Sequence, residues 1–306
     1  MHLFAYDWRL SPARTREALL AFVKKLPCNQ HHNTHHHDQV KSGAYVIAHS
    51  MGGLITHSAV TAHPSLFSGI VYAGVPFRHC NNIFGPLRHG ESVLFNSQVL
   101  TPWTNFSIRS TYCMLPLDGQ CFVDKRTGKD IELNIWNAET WVKYGLTPVL
   151  EQQQQEHGVN VGASTGEQSG TVSSSSTYSR KDKLVYLQRT LTETLAFKHS
   201  LQHQSNTTYP SFSLLYCAEI PTVVGAKVDG IDGLRRGDWY DDLILAAGDG
   251  VVSARAVSMP AGFVPTVKVR STRGHVGLLA DIEGVAKCLK GVMVRDEGKS
   301  SHDMGG

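Results

Sequence analysis

Paired cysteines, basic runs and long apolar stretches are all missing from this sequence. Its six cysteines, Cys28, Cys80, Cys113, Cys121, Cys217 and Cys288, are scattered with no C-x-x-C pair, which argues against a zinc site or a disulfide framework. Cys113 and Cys121 alone are placed to bridge a small loop in an oxidising compartment. There the sequons Asn105-Phe106-Ser107 and Asn206-Thr207-Thr208 would also be usable. Lys and Arg number 29 against 26 Asp and Glu, a net charge of +3 with histidine neutral. So weak a surplus, with no run of five or more consecutive Lys/Arg, does not mark a nucleic-acid binder, and no nucleic-acid partner is expected. No window approaches the ~18 uninterrupted apolar residues of a membrane span. The N-terminal residues lack the basic-then-apolar order of a signal peptide, and the compartment stays open.

What is there is a chain of 306 residues, 41% hydrophobic and 18% charged, with 28 glycines and 12 prolines. This excludes collagen-like, disordered and coiled-coil classes and suffices to bury a large core. Leu3–Tyr6 reads as a buried strand, and Ser11-Pro12 as the start of a helix over 12–26 that Pro27 stops. Residues 27–42, with His31, His32, His35, His36 and His37, read as a low-complexity surface loop. Ala44–Ala48, a helix from Met51 to His63 and Gly69–Ala73 form a βαβ unit, which makes the sheet parallel there.

The alternation stops from Pro76 to about Pro210. Within that stretch a hairpin turns at Thr127-Gly128, a short helix runs from an Asn137 cap to Gly145, and Leu184, Leu187, Leu191 and Leu195 mark another helix. Residues 151–183, with QQQQ and SSSS, are too polar to order. The sheet resumes with apolar strands at Ser213–Cys217, Leu243–Ala246 and Val264–Val269. A last helix covers 278–292, and 296–306 form a tail. The expected organisation is a core of residues 1–75 and 211–295 with 76–210 inserted as a cap.

Ala48-His49-Ser50-Met51-Gly52-Gly53 sits between an apolar strand and a helix. That is the setting of a nucleophile elbow, where small residues two before and two after the serine relieve a tight turn. Ser50 then needs a histidine base and a carboxylate to orient it, each on a loop after a strand and in the order nucleophile, acid, base. Asp249, in Gly248-Asp249-Gly250, follows strand 243–246; Asp238, Asp241 and Asp242 precede it. His275 follows strand 264–269. His49 and His57 lie beside the elbow but point to other roles: one adjoins the serine facing elsewhere, and the other is on the following helix. The expectation is an α/β-hydrolase fold in which Ser50, Asp249 and His275 converge, with the Met51 N–H as one oxyanion donor. Trp103, Trp136 and Trp141 are candidates for acyl-chain walls, against ordinary packing of the cap.

Together, Tyr6-Asp7-Trp8-Arg9, Ala48–Gly53, Gly74-Val75-Pro76, Ile220-Pro221-Thr222, Gly248–Gly250 and Gly274-His275 resemble the lecithin:cholesterol acyltransferase family of α/β-hydrolases. The resemblance implies that Ser50 accepts the acyl group, Asp249 is the acid, His275 is the base and 76–210 covers the acyl chain. It implies a lipid O-acyltransferase, or a phospholipase or esterase, with a sterol, an alcohol or water as acceptor and transient contact with a lipid surface. No cofactor or metal is called for. Family members carry further strands before Tyr-Asp-Trp-Arg, one of them followed by a loop that donates a second oxyanion N–H. The chain begins almost at that strand, so the sequence-level expectation is an N-terminally incomplete fold. It also makes a catalytically impaired fragment that binds lipid or a partner the alternative.

Overall fold

A computed structural model describes residues 1–30, 43–93, 96–151, 178–237 and 239–297. In chain order these form α1 (Pro12–Lys24), β1 (Ala44–His49), α2 (Met51–Ala62), β2 (Phe67–Ala73), α3 (Phe84–His89), β3 (Glu91–Val93), β4 (Asn96–Leu100) and α4 (Pro102–Ser107). Then come β5 (Phe122–Asp124), α5 (Ala138–Tyr144), α6 (Arg180–His199), β6 (Ser211–Cys217), β7 (Ile220–Val228), α7 (Gly230–Arg236), β8 (Leu243–Gly248), β9 (Val267–Ser271) and α8 (Ile282–Glu297). The local signals act where expected. The Ser11 hydroxyl caps α1 with Pro12 at its first position, and Asn137 caps α5, which Gly145 ends in a left-handed conformation.

The main sheet has the order β1–β2–β6–β9, and all three pairings are parallel. Its middle strands are mostly apolar because both faces are covered. On β2, Ile70 and Tyr72 join a core with α1 and α2, while Val71 and Ala73 join one with α8. On β6, Phe212 and Leu214 go to the first core, and Leu215 and Cys217 to the second. The period of two along a strand makes this division.

Residues 76–210 build much of a separate core around Phe84, Tyr112, Ile135, Trp141 and Leu187, all buried. Ala226, Val228, Leu234 and Trp239 belong to the same core, so the second half of the chain returns to it. The run Leu243–Ala246 is a strand, as read, but of a different sheet. As β8 it pairs antiparallel with β7, and β7 pairs with β5. An antiparallel sheet leaves one face open, and Leu245 is accordingly exposed.

Leu3–Tyr6 is not a strand. Phe4 and Tyr6 pack on the core beside α1, with the Phe4 ring 5.3 Å from Phe22. The segment is then tied to the excursion: the Arg9 carbonyl accepts from the Arg109 N–H, and the Trp8 carbonyl from the Ser110 hydroxyl. These ties hold it away from the sheet. A cleft of about 890 Å³ lies between residues 1–6 and β1, and among the described residues β1 pairs with β2 alone.

Three smaller expectations change. Of the segment 151–183, Glu151 and the residues from 178 on are described: Glu151 pairs with Arg88, and Ser179 and Asp182 form a reciprocal capping box for α6. The segment's remainder, 152–177, the histidines of 31–42 and the tail from 298 lie outside the described residues. Cys113 and Cys121 are both buried free thiols. Asn105 is buried with its amide donating to the carbonyls of Pro86, Leu100 and Thr101, so the first sequon is closed in the folded chain. Among the described residues no helix is long and apolar enough to cross a membrane.

Candidate active site

β1 delivers the chain to Ser50, which turns it abruptly into α2. Ser50 has φ 52° and ψ −131°, and it is the one non-glycine at positive φ among the described residues. A serine held there carries about 1–3 kcal/mol of strain. Two backbone bonds maintain it. The Ser50 N–H donates to the Ala73 carbonyl of β2, and the Gly53 N–H to the Ser50 carbonyl, both at 2.9 Å. A Cβ on Gly53 would lie 2.1 Å from Val75, whereas one on Gly52 would meet only the Tyr6 hydroxyl at 3.5 Å. The tight requirement for a small residue therefore falls on Gly53, one position later than the spacing rule suggests.

The turn aims the Ser50 hydroxyl at His275, whose Nε2 lies 2.9 Å from Oγ. On the other side of the ring, Nδ1 lies 2.7 Å from Asp249 Oδ2. A carboxylate only accepts, so Nδ1 carries the proton and Nε2 is left to accept from serine. Asp249 Oδ1 accepts from the N–H groups of Val251 and Val252 at 2.9 and 2.6 Å. Burial pushes the Asp249 carboxyl up, but the hydrogen bonds from His275, Val252 and Val251 outweigh this and hold it below its ordinary value. Asp249 stays an anion in a site where only 3% of it is exposed.

The remaining motif residues support this trio. The Gly250 N–H donates to the Thr222 hydroxyl at 2.9 Å, so Ile220-Pro221-Thr222 holds the acid's turn. A Cβ on Gly248 would lie 2.3 Å from that hydroxyl oxygen. Gly74, at φ +56°, packs directly against the relay: a Cβ there would lie 3.1 Å from both Asp249 Oδ2 and His275 Nδ1. Met51 is the first residue of α2, and N–H groups of a first turn have no acceptor within the helix.

Sequence reasoning missed His49. Its Nε2 lies 2.9 Å from the carbonyl oxygen of His275, and the two rings are 4.7 Å apart. Burial lowers the His49 ring below its ordinary value, which keeps it neutral. Its place next to Ser50 was the available signal. His57 is fully buried within α2, between the Tyr72 hydroxyl and the Leu201 carbonyl, away from the relay. Trp141 is a correction: it is fully buried in the cap's core and donates to the Ile135 carbonyl, leaving no surface for a ligand. Trp103 stacks on Phe106 and Tyr178, and Trp136 donates to the Leu117 carbonyl.

No protein-family model matches the chain. It is 32% identical over 336 residues to the uncharacterized protein YJR098C of Saccharomyces cerevisiae, an alignment covering 97% of this chain and 50% of that protein. The chain therefore spans half the length of this curated relative. Among solved structures it resembles the Tle4–Tli4 complex, with a TM-score of 0.53 and 14% identity over 94% of this chain and 66% of that one. A loop variant of haloalkane dehalogenase DbeA from Bradyrhizobium elkanii aligns at a TM-score of 0.35 and 12% identity, over 97% of this chain and 78% of that one. The chain has the α/β-hydrolase fold.

Proposed function

We propose that this chain is a serine esterase or acyltransferase acting on lipid esters. One observation carries the reading: a continuous hydrogen-bonded relay from the Ser50 hydroxyl through His275 to a buried Asp249 carboxylate. Ser50 Oγ attacks the ester carbonyl carbon while His275 Nε2 takes its proton. The carbonyl oxygen becomes an oxyanion within reach of the Met51 N–H. As the C–O bond breaks, His275 returns the proton to the leaving alkoxide, and an acyl-Ser50 intermediate remains. An acceptor hydroxyl, from water or an alcohol such as a sterol, then gives its proton to His275 and takes the acyl group. Asp249 orients the ring and stabilises the transient imidazolium.

The lipid part of the reading rests on the motif resemblance and on the apolar surroundings of the relay. Val276, next to the base, is 91% exposed, and Leu279 and Ile282 follow it at the surface. The cleft along β1 reaches the elbow residues Ala48, His49 and Gly52. Labelling with a fluorophosphonate probe tests the nucleophile. The parent chain should label at Ser50 and the Ser50→Ala variant should not. A folded parent that stays unlabelled would refute the reading and favour a lipid-binding, non-catalytic role. Labelled phospholipid supplied with and without sterol then distinguishes acyl transfer from hydrolysis.

A further inference from the structure

We propose that His49 is a positioning residue that clamps the base loop to the nucleophile's own strand and so sets the Ser50–His275 distance. The proposal rests on the serine relay described above. His275 sits at the start of a loop turn after β9, and its backbone is held from two sides. Its N–H donates to the Asp249 carbonyl at 2.9 Å, and its carbonyl faces His49 Nε2 at 2.9 Å.

The chemistry of this second bond is unambiguous. A carbonyl oxygen only accepts, so His49 must carry its proton on Nε2 and act as the donor. The first bond ties the base to the acid's loop, which belongs to the small sheet. Among the described residues, the His49 bond is the one that ties the backbone of the base loop to β1. Because His49 and Ser50 are consecutive, a shift of β1 carries nucleophile and clamp together, and the carbonyl of the base must follow. The His49 ring also lies against the His275 ring, with centroids 4.7 Å apart and planes inclined by 42°. That contact limits how far the base can swing from Oγ. Proton transfer needs Oγ and Nε2 held at hydrogen-bond distance, and a misplacement of about 1 Å costs as much as ~100-fold in rate.

The test compares three variants of the full chain by fluorophosphonate labelling rate, with thermal unfolding run in parallel. His49→Phe keeps a ring and removes the donor, His49→Ala removes both, and His49→Gln restores an N–H at comparable reach. The expected result is a loss of roughly tenfold to 100-fold for the Phe and Ala variants and recovery of most of the rate in the Gln variant. The far-downfield proton signal of the His275–Asp249 hydrogen bond should weaken in His49→Phe and return in His49→Gln. A purely structural role would move unfolding temperatures in all three without this rescue. Parent-like labelling by His49→Phe, or a folded His49→Gln as slow as His49→Ala, overturns the proposal. Failure of the parent itself to label would instead remove the serine reading beneath it.

Discussion

Replacing Gly74 with alanine should damage the relay from beneath. Gly74 adopts φ +56°, a left-handed conformation that costs an L-residue about 1–2 kcal/mol. The added methyl would also lie 2.7 Å from Leu278 Cδ1 and 3.1 Å from Asp249 Oδ2 and His275 Nδ1. Overpacking of this kind typically adds about 1–3 kcal/mol, so the whole change should cost about 2–5 kcal/mol in urea unfolding. If the Asp249–His275 pair moves to make room, labelling of Ser50 should fall by about tenfold or more. Gly128→Ala separates the two effects. Gly128 has φ +67° but nothing within 4 Å of an added methyl, so it should show the backbone cost with no loss of labelling. Parent-like labelling and stability in Gly74→Ala would refute the packing argument. Equal labelling losses in both variants would show that the effect is not local to the relay.

Other outcomes follow from named contacts. Asp249→Asn should leave the fold intact but cut labelling by about 10²–10⁴, because an amide can hold His275 in the wrong tautomer; mass spectrometry of the labelled peptide reads this. Gly53→Ala should unfold at lower urea and label poorly, since its methyl would meet Val75 at 2.1 Å. His57 makes stability depend on pH, because burial lowers its ring to about 3 from an ordinary value near 6.5. Its folded value lies below its unfolded one, so the contribution is fully present above about pH 6.5 and is lost as pH falls towards 3. Between pH 7 and 5 this amounts to about 2 kcal/mol. His57→Phe should flatten that part of the urea-midpoint profile, and an unchanged slope would count against it.

Ser50, His275 and Asp249 were legible because each stands where a strand ends and the chain must turn. Glycines at Gly52, Gly248, Gly250 and Gly274 marked those turns before any contact was known. Apolar runs identified β2 and β6 because strands covered on both faces have no polar side to disguise them, and β1 reads the same way although its Tyr45 and Ile47 are exposed. The run at Leu243–Ala246 was equally visible, but an apolar run does not say which sheet it joins. Its partner β7 carries Pro221, Gly225 and Lys227, which breaks the pattern of a buried strand. Leu3–Tyr6 failed for a related reason, since apolar side chains can anchor an extended segment without any ladder. His49 was passed over because a side chain beside the serine leaves the strand on another course, and only the fold shows that the base loop meets it there.

Asp249 and Ser50 belong to different structural neighbourhoods. Ser50 is carried by the parallel sheet, whereas Asp249 follows a strand of the small sheet, whose partners β5 and β7 contribute Phe122, Ala226 and Val228 to the cap's core. Cooperative units of a protein open at different free energies, and the relay spans two of them. Loosening of the cap core would therefore withdraw support from the acid while the parallel sheet is still intact. Should that core open first on gradual heating, Ser50 labelling would disappear before the sheet's amides exchange, and the working lifetime of the site would be set outside the sheet that carries Ser50.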